Sequence, residues 1–188
     1  MGKLTVITNL TLDGVMQAPG RPDEDERGGF AHGGWATPYS SDAMGRVLGS
    51  GTGEAAMLLG RRTYEDFAGF WPKQPANPYT EALNRMTKYV VSRTLTGSLP
   101  WQNSTVVDGD VAALKKDRDL VVLGSGALIR SLLPHGVIDE FILLIHPLVL
   151  GEGQRLFDDD TEVKLDLVGA FGTTTGVVIT TYRPAAGA

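Results

Sequence analysis

Residues 119–134 read DLVVLGSGALIRSLLP, and no other stretch restricts the fold as much. Leu120, Val121, Val122 and Leu123 form an unbroken apolar run that meets Gly124, Ser125 and Gly126. A run apolar on both faces reads as a fully buried strand. Ala127, Leu128, Ile129, Leu132 and Leu133 then recur at helical spacing, and Pro134 ends the pattern. The unit is strand, tight turn, helix. Its two glycines raise the question of what approaches the turn so closely that a side chain is excluded.

The same alternation runs through the chain. KLTVITNLTLDG reads as strand and turn, AAMLLG as a short buried strand, and RRTYEDFAGF as the helix that follows. NPYTEALNRM reads as a helix with Pro78 in an early position after Asn77. KYVVSRT and STVVD are strands, and DVAALKKD is a helix opened by Asp110. DEFILLIHPLVLG is a strand too apolar for an exposed edge, and EVKLDLVGAFGTTTGVVITTYRP closes the chain as a hairpin. Residues 41–51 read as a further short helix with Ser41 or Asp42 as its cap. Strands alternating with helices, then strands alone, predict one α/β domain over residues 1–188, with a mostly parallel sheet and an antiparallel end. Residues 18–35 form the one long loop, and such loops are functional or mobile.

Composition narrows the function. The chain has no cysteine, which removes disulfides and thiolate chemistry, and its three histidines (His32, His135 and His146) show no ligand spacing, so no metal site is expected. The formal charge of −5 and the lack of a basic tail argue against nucleic acid. No apolar run is long enough to span a bilayer, and MGKLTVITNL lacks the features of a signal peptide. The expectation is a soluble cytoplasmic chain with a small-molecule partner.

In open α/β sheets ligands bind at the carboxyl ends of strands, where helix N-termini offer free N–H groups suited to phosphate. Gly124 and Gly126 would let backbone approach a pyrophosphate; equally, they would make a tight turn with no ligand. The full dinucleotide fingerprint is absent, because Ile129 stands at its third glycine position. Two other strands end in hydroxyl and basic residues: Gly60, Arg61, Arg62 and Thr63 after one, Ser92, Arg93 and Thr94 after the other. Guanidinium forks match phosphate geometry, and a second phosphate site suits NADP better than NAD.

NLTLDGVMQ, LLGRRTYEDF, VVSRT, VVLGSGALIRSLLPHGVIDEFILLIHPLVLGEGQRLF and the closing strands together resemble the dihydrofolate reductase superfold. Within it they are most similar to the riboflavin biosynthesis reductases (the C-terminal domain of bifunctional deaminase-reductases). The resemblance implies a three-layer α/β fold with helices on both faces of the sheet, NADPH as cofactor, and reduction of a small heterocycle, as by 5-amino-6-(5-phosphoribosylamino)uracil reductase. It also implies a homodimer. Gly60 would touch the cofactor, Arg61, Arg62, Ser92 and Arg93 would lie around the adenosine 2′-phosphate, and Thr63 towards the nicotinamide. Gly124, Ser125, Gly126, Ala127 and Leu128 would wrap the pyrophosphate. Asp13, with Gly14, would sit beside the substrate to orient it or relay a proton, and Trp35 would be a wall for its ring. Gly151 and Gly153 resemble the glycine loop at the ring-binding end, or form a simple turn.

The chain departs from dihydrofolate reductases in the substrate half. Trp35 has no preceding proline, and the interval that should lead into a carboxylate-bearing helix reads RPDEDERGGFAHGGWATPYSSD, with Asp42 on the helix that follows. Phe30, Phe70 and Trp71 are further candidate walls, with core packing the competing role for Trp71, and the glycines around His32 fit a hinged lid. Two readings stay open beside the riboflavin-type reductase: dihydrofolate reduction itself, and a nucleotide-binding module without turnover.

Overall fold

Eight strands form one sheet in a computed structural model that describes residues 1–41, 45, 47 and 54–185. They are β1 (Leu4–Thr11), β2 (Ala56–Gly60), β3 (Lys88–Val91), β4 (Ser104–Val107), β5 (Leu120–Leu123), β6 (Glu140–His146), β7 (Leu165–Gly172) and β8 (Val178–Pro184). Between strands run the α-helices α1 (Arg61–Phe70), α2 (Pro78–Arg85), α3 (Val111–Asp117) and α4 (Gly126–Leu132). The sheet order is β4-β3-β2-β5-β1-β6-β8-β7. Pairing is parallel from β4 through to β6 and antiparallel for β6 with β8 and β8 with β7. The expected α/β architecture with an antiparallel C-terminal end is therefore present. The helix expected over 41–51, with Asp42, lies largely outside the described residues.

Two cores explain why the central strands are apolar on both faces. Leu4, Val6, Leu58, Leu120 and Val122 face Val111 of α3 and Leu128, Ile129 and Leu132 of α4. Ile7, Met57, Leu59, Val121 and Leu123 face Tyr64 of α1 and Leu83 of α2. Helices thus cover both sheet faces, and each fully buried leucine stabilises the fold by roughly 1.5–3 kcal/mol. Local chemistry sets the helix starts. Asn77 closes a capping box with Thr80 ahead of Pro78, and the Asp110 carboxylate accepts from Ala113 N at 2.9 Å. No helix among the described residues is long and apolar enough to cross a membrane.

The chain differs from its sequence pattern after β6. The apolar run DEFILLIHPLVLG continues past His146, but the strand ends there. Pro147 carries no N–H for the ladder, so the following residues leave the sheet. β6 itself lies between β1 and β8, and its apolar side chains serve the core. β7 is the edge on this side of the sheet, with a register shift between Leu167 and Gly169.

Candidate active site

The parallel register opens the site. β5 pairs with β1 only as far as Ile7 against Leu123, whereas β1 continues to Thr11 along β6. Past Leu123 the β5 side of β1 is left uncovered at the carboxyl ends of the strands. A cleft of about 880 Å³ occupies this gap. Ile7, Thr8 and Asn9 line it from β1, Leu123 to Gly126 from the β5 turn, and Arg62, Thr63 and Phe70 from α1; residues 17–21 and 24–27 line it from the long loop.

The glycine turn has unusual backbone. Gly124 and Ser125 both take left-handed conformations, with φ of 64° and 56°. A non-glycine residue in that region costs about 1 kcal/mol, and a cross-strand bond offsets it: Ser125 Oγ accepts from Gly60 N at 3.1 Å. This ties the end of β2 to the end of β5. A Cβ on Gly124 would meet only the Thr63 methyl, at 3.8 Å. A Cβ on Gly126 would lie 2.6 Å from Met16 Sδ and 3.2 Å from Arg130 Nη1. The close neighbour at Gly126 is therefore the protein's own methionine, which also lines the cleft. The first intrahelical acceptor is Ser125 O, taken by Ile129 N at 3.0 Å, which leaves the N–H groups of Gly126, Ala127 and Leu128 outside the ladder. The Leu128 side chain is buried in the core, while Ala127 is exposed.

The three arginines fall at neighbouring strand ends, since Gly60 pairs with Val91. Arg61 is engaged: Nε reaches Glu65 at 2.8 Å and Nη1 donates to Thr94 Oγ1 at 2.7 Å. The Ser92 hydroxyl accepts from Thr94 N and Leu95 N and shapes that turn. Arg62 and Arg93 are exposed and form no ion pair among the described residues. Arg62 and Thr63 line the cleft; Arg61, Ser92 and Arg93 stand beyond its rim.

Asp13 and Trp35 are placed outside the cleft lining. The Asp13 carboxylate accepts from Thr11 Oγ1 at 2.6 Å, Gly151 N at 2.8 Å and Leu150 N at 3.3 Å. Burial raises its pKa, but these donors outweigh that and hold it below the ordinary value. The carboxylate thus knits the Asp-Gly turn to the loop after β6. Trp35 is buried behind the wall, where Nε1 donates to Gln17 O at 2.7 Å. Phe30 is also buried, and a Cβ on Gly153 would lie 2.6 Å from its ring, so Gly153 is needed for packing. His32 is exposed and reaches Glu152 at 3.2 Å. Of the candidate walls, only Phe70 and Trp71 line the cleft.

Several cleft features were not evident from sequence. Gln17 is the hub of the long loop: Nε2 donates to Asp25 O at 3.0 Å and Arg27 O at 2.9 Å, and Oε1 accepts from Gln154 N at 2.9 Å. His146 is fully buried and donates from Nε2 to Asn9 Oδ1 at 2.9 Å. Burial pushes its pKa down to about 4, so it is neutral at pH 7, and it packs edge-on against Trp35 and Tyr39. With its oxygen so engaged, Asn9 keeps its amide N–H groups for the cleft it lines. On the far wall Arg21 pairs with Asp66 and stacks on Phe70. Only the spacing of Thr63, Asp66, Phe67 and Phe70 on one helical face signalled that this wall would be shared.

Comparison with known proteins agrees with this arrangement. The chain is 33% identical over 138 residues to the uncharacterized protein YyaP of Bacillus subtilis, covering 68% of this chain and 72% of that one. Among solved structures it is similar to a putative riboflavin biosynthesis protein from Shewanella sp. PV-4, with a TM-score of 0.66 at 18% identity over 97% of this chain and 99% of that one. A pyrimidine reductase-like protein from Corynebacterium diphtheriae matches with a TM-score of 0.65 at 12% identity, over 98% and 92% of the two chains. Dihydrofolate reductase from Enterococcus faecalis, complexed with NADP(H) and RAB-propyl, matches with 0.64 at 15% identity, over 97% and 96%. These structural likenesses bear out the dihydrofolate reductase-like fold. The model of the RibD C-terminal domain matches residues 3–179, nearly the whole chain, and the chain belongs to that family.

Proposed function

We propose that the chain is an NADPH-dependent reductase of a small heterocyclic substrate, of the type of 5-amino-6-(5-phosphoribosylamino)uracil reductase. One observation carries the reading. The left-handed Gly124-Ser125 turn and Gly126 at the start of α4 line the same cleft as Phe67, Phe70 and Trp71. The turn suits phosphate and the aromatic side chains a planar ring. Family membership supports the same reading, as does the fold shared with a dihydrofolate reductase complexed with NADP(H).

The residues present fit NADPH. No side chain on Gly124 fills the cradle, and Arg62 and Arg93 offer uncommitted guanidinium groups for the 2′-phosphate. Arg61 and Ser92 would support them by fixing the turn at Thr94. The bound cofactor supplies a hydride. The chain's part is to hold and orient. The N–H groups of Gly126, Ala127 and Leu128 would take the phosphates, and Thr63 would lie against the cofactor. Phe67, Phe70 and Trp71 would exclude water from the substrate ring, and Asn9, fixed by His146, would donate to a ring carbonyl or nitrogen. The Asp13 turn would hold the loop after β6 in place.

The test is NADPH oxidation, followed by absorbance, against a panel of aminopyrimidine, pteridine and related rings that includes dihydrofolate. Turnover on a pyrimidine supports the riboflavin-type reading, and turnover on dihydrofolate alone replaces it with the second enzymatic reading. NADPH binding with no turnover on any ring supports the binding module.

A further inference from the structure

We propose that Asp66 and Phe70 form the subsite for the substrate ring and that Arg21 fills it with its own guanidinium until the substrate displaces it, an inference that rests on the reductase reading above. Arg21 Nη2 donates to Asp66 Oδ1, and its guanidinium carbon lies 4.2 Å from the centre of the Phe70 ring. All three residues line the cleft, and the Arg21 and Asp66 side chains keep only 21% and 23% of their exposure. A planar delocalised cation thus lies over an aromatic ring and donates to a carboxylate. An amino-amidine edge, a ring nitrogen beside an exocyclic amine, would make the same two contacts.

The subsite is incompletely satisfied by its present occupant. Asp66 Oδ2 is buried without a hydrogen-bond partner, and so is Trp71 Nε1 on the same aromatic wall. Arginine–carboxylate pairs commonly use the guanidinium fork on both carboxylate oxygens. Arg21 uses one, and its Nε lies 3.5 Å from the exposed Asp23. Glu24 adds a third carboxylate beside it; burial and the charge of Asp66 raise its pKa, against the N–H groups of Gly20 and Arg21 that it accepts. The surroundings favour a second N–H-bearing, cationic or polarised group. Nor is Arg21 needed to hold the loop, which Gln17 and Trp35 already fix. The substrate class that follows is a planar nitrogen heterocycle with an amino-amidine edge directed at Asp66.

The probe is benzamidine, a planar amidinium, with benzamide as its neutral counterpart. Both are titrated calorimetrically into the full chain as parent, Arg21→Ala, and Arg21→Ala with Asp66→Asn. Arg21→Ala should bind benzamidine at least about tenfold more tightly than the parent. That gain should vanish in the double variant, and benzamide should gain nothing. Equal affinity in parent and Arg21→Ala overturns the proposal, as does a gain that survives Asp66→Asn or extends to benzamide. Circular dichroism monitors folding; if Arg21→Ala fails to fold, Arg21→Gln is titrated with the same two deciding outcomes. NADPH titration of the parent separates the two readings. A parent that does not bind NADPH sinks the reductase reading, whereas the benzamidine pattern decides the subsite.

Discussion

His146 should make the fold acid-sensitive in a defined window. Its imidazole is fully buried between Trp35 and Tyr39, and burial moves its pKa from 6.5 to about 4. As pH falls, the unfolded chain takes up this proton near 6.5, whereas the folded chain resists until about 4. The unfolded state therefore binds more protons in between, and stability falls as pH falls. The contribution is complete above pH 6.5, declines between, and levels off below about 4. At about 1.4 kcal/mol per pH unit, the whole window is worth about 3 kcal/mol, and a step from about pH 7 to about pH 4.5 costs about 2–3 kcal/mol. His146→Gln keeps a donor for Asn9 and removes the titration. Urea unfolding of both proteins at the two pH values isolates the effect from the carboxylates, which titrate in both. The parent should lose about 2–3 kcal/mol more than the variant. Parallel pH profiles would show that the ring takes up its proton equally readily in the folded and unfolded chains, with water reaching it.

Gly126→Val would drive a side chain into Met16 and displace it into the cleft. We expect a folded variant, less stable by about 1–3 kcal/mol, that no longer binds NADPH; thermal melts with titration check it, and parent affinity would confine the glycine to the turn. Asp13→Asn weakens the bonds to Leu150 and Gly151. It should cost about 1–3 kcal/mol of stability and leave NADPH affinity unchanged; a hundredfold loss of kcat, roughly what a lost acid–base group costs, at parent stability would place the carboxylate in the chemistry. Leu167, Val168 and Phe171 remain exposed on the edge strand β7, where a second copy would cover them. The expected homodimer should dissociate in Phe171→Asp by analytical ultracentrifugation, and a monomeric parent would contradict it.

The fold was legible because its signals are local. The buried run before Gly124, the Asn77-Pro78 start, the Asp110 cap and the closing hairpin each follow from residues within one turn or strand. The end of β6 depends equally locally on Pro147, yet the apolar residues beyond it hid the break. The glycine turn was also readable as a turn. Its tight neighbour was not, because Met16 reaches Gly126 from more than a hundred residues away. The same holds for the rest of the cleft. Asn9 is oriented by His146, Arg21 is drawn to Asp66, and Trp35 donates to the Gln17 carbonyl outside the cleft lining. These contacts depend on which strands, loops and helices the fold brings together, and no spacing along the chain records them. His32, the residue between glycines that fitted a hinge, lies two residues after Phe30, which is packed into the protein.

In the proposed reading the cleft beside Gly124 takes NADPH, and Arg62 and Arg93 read its extra phosphate. Calorimetric titration of the parent chain with NADPH and with NADH tests it most directly. Charge-assisted bonds to the 2′-phosphate contribute about 1.5–3 kcal/mol, so NADPH should bind about tenfold or more tightly than NADH. Equal affinity for the two would remove the arginines from the site, and no binding of either would exclude the nicotinamide cofactor from this cleft.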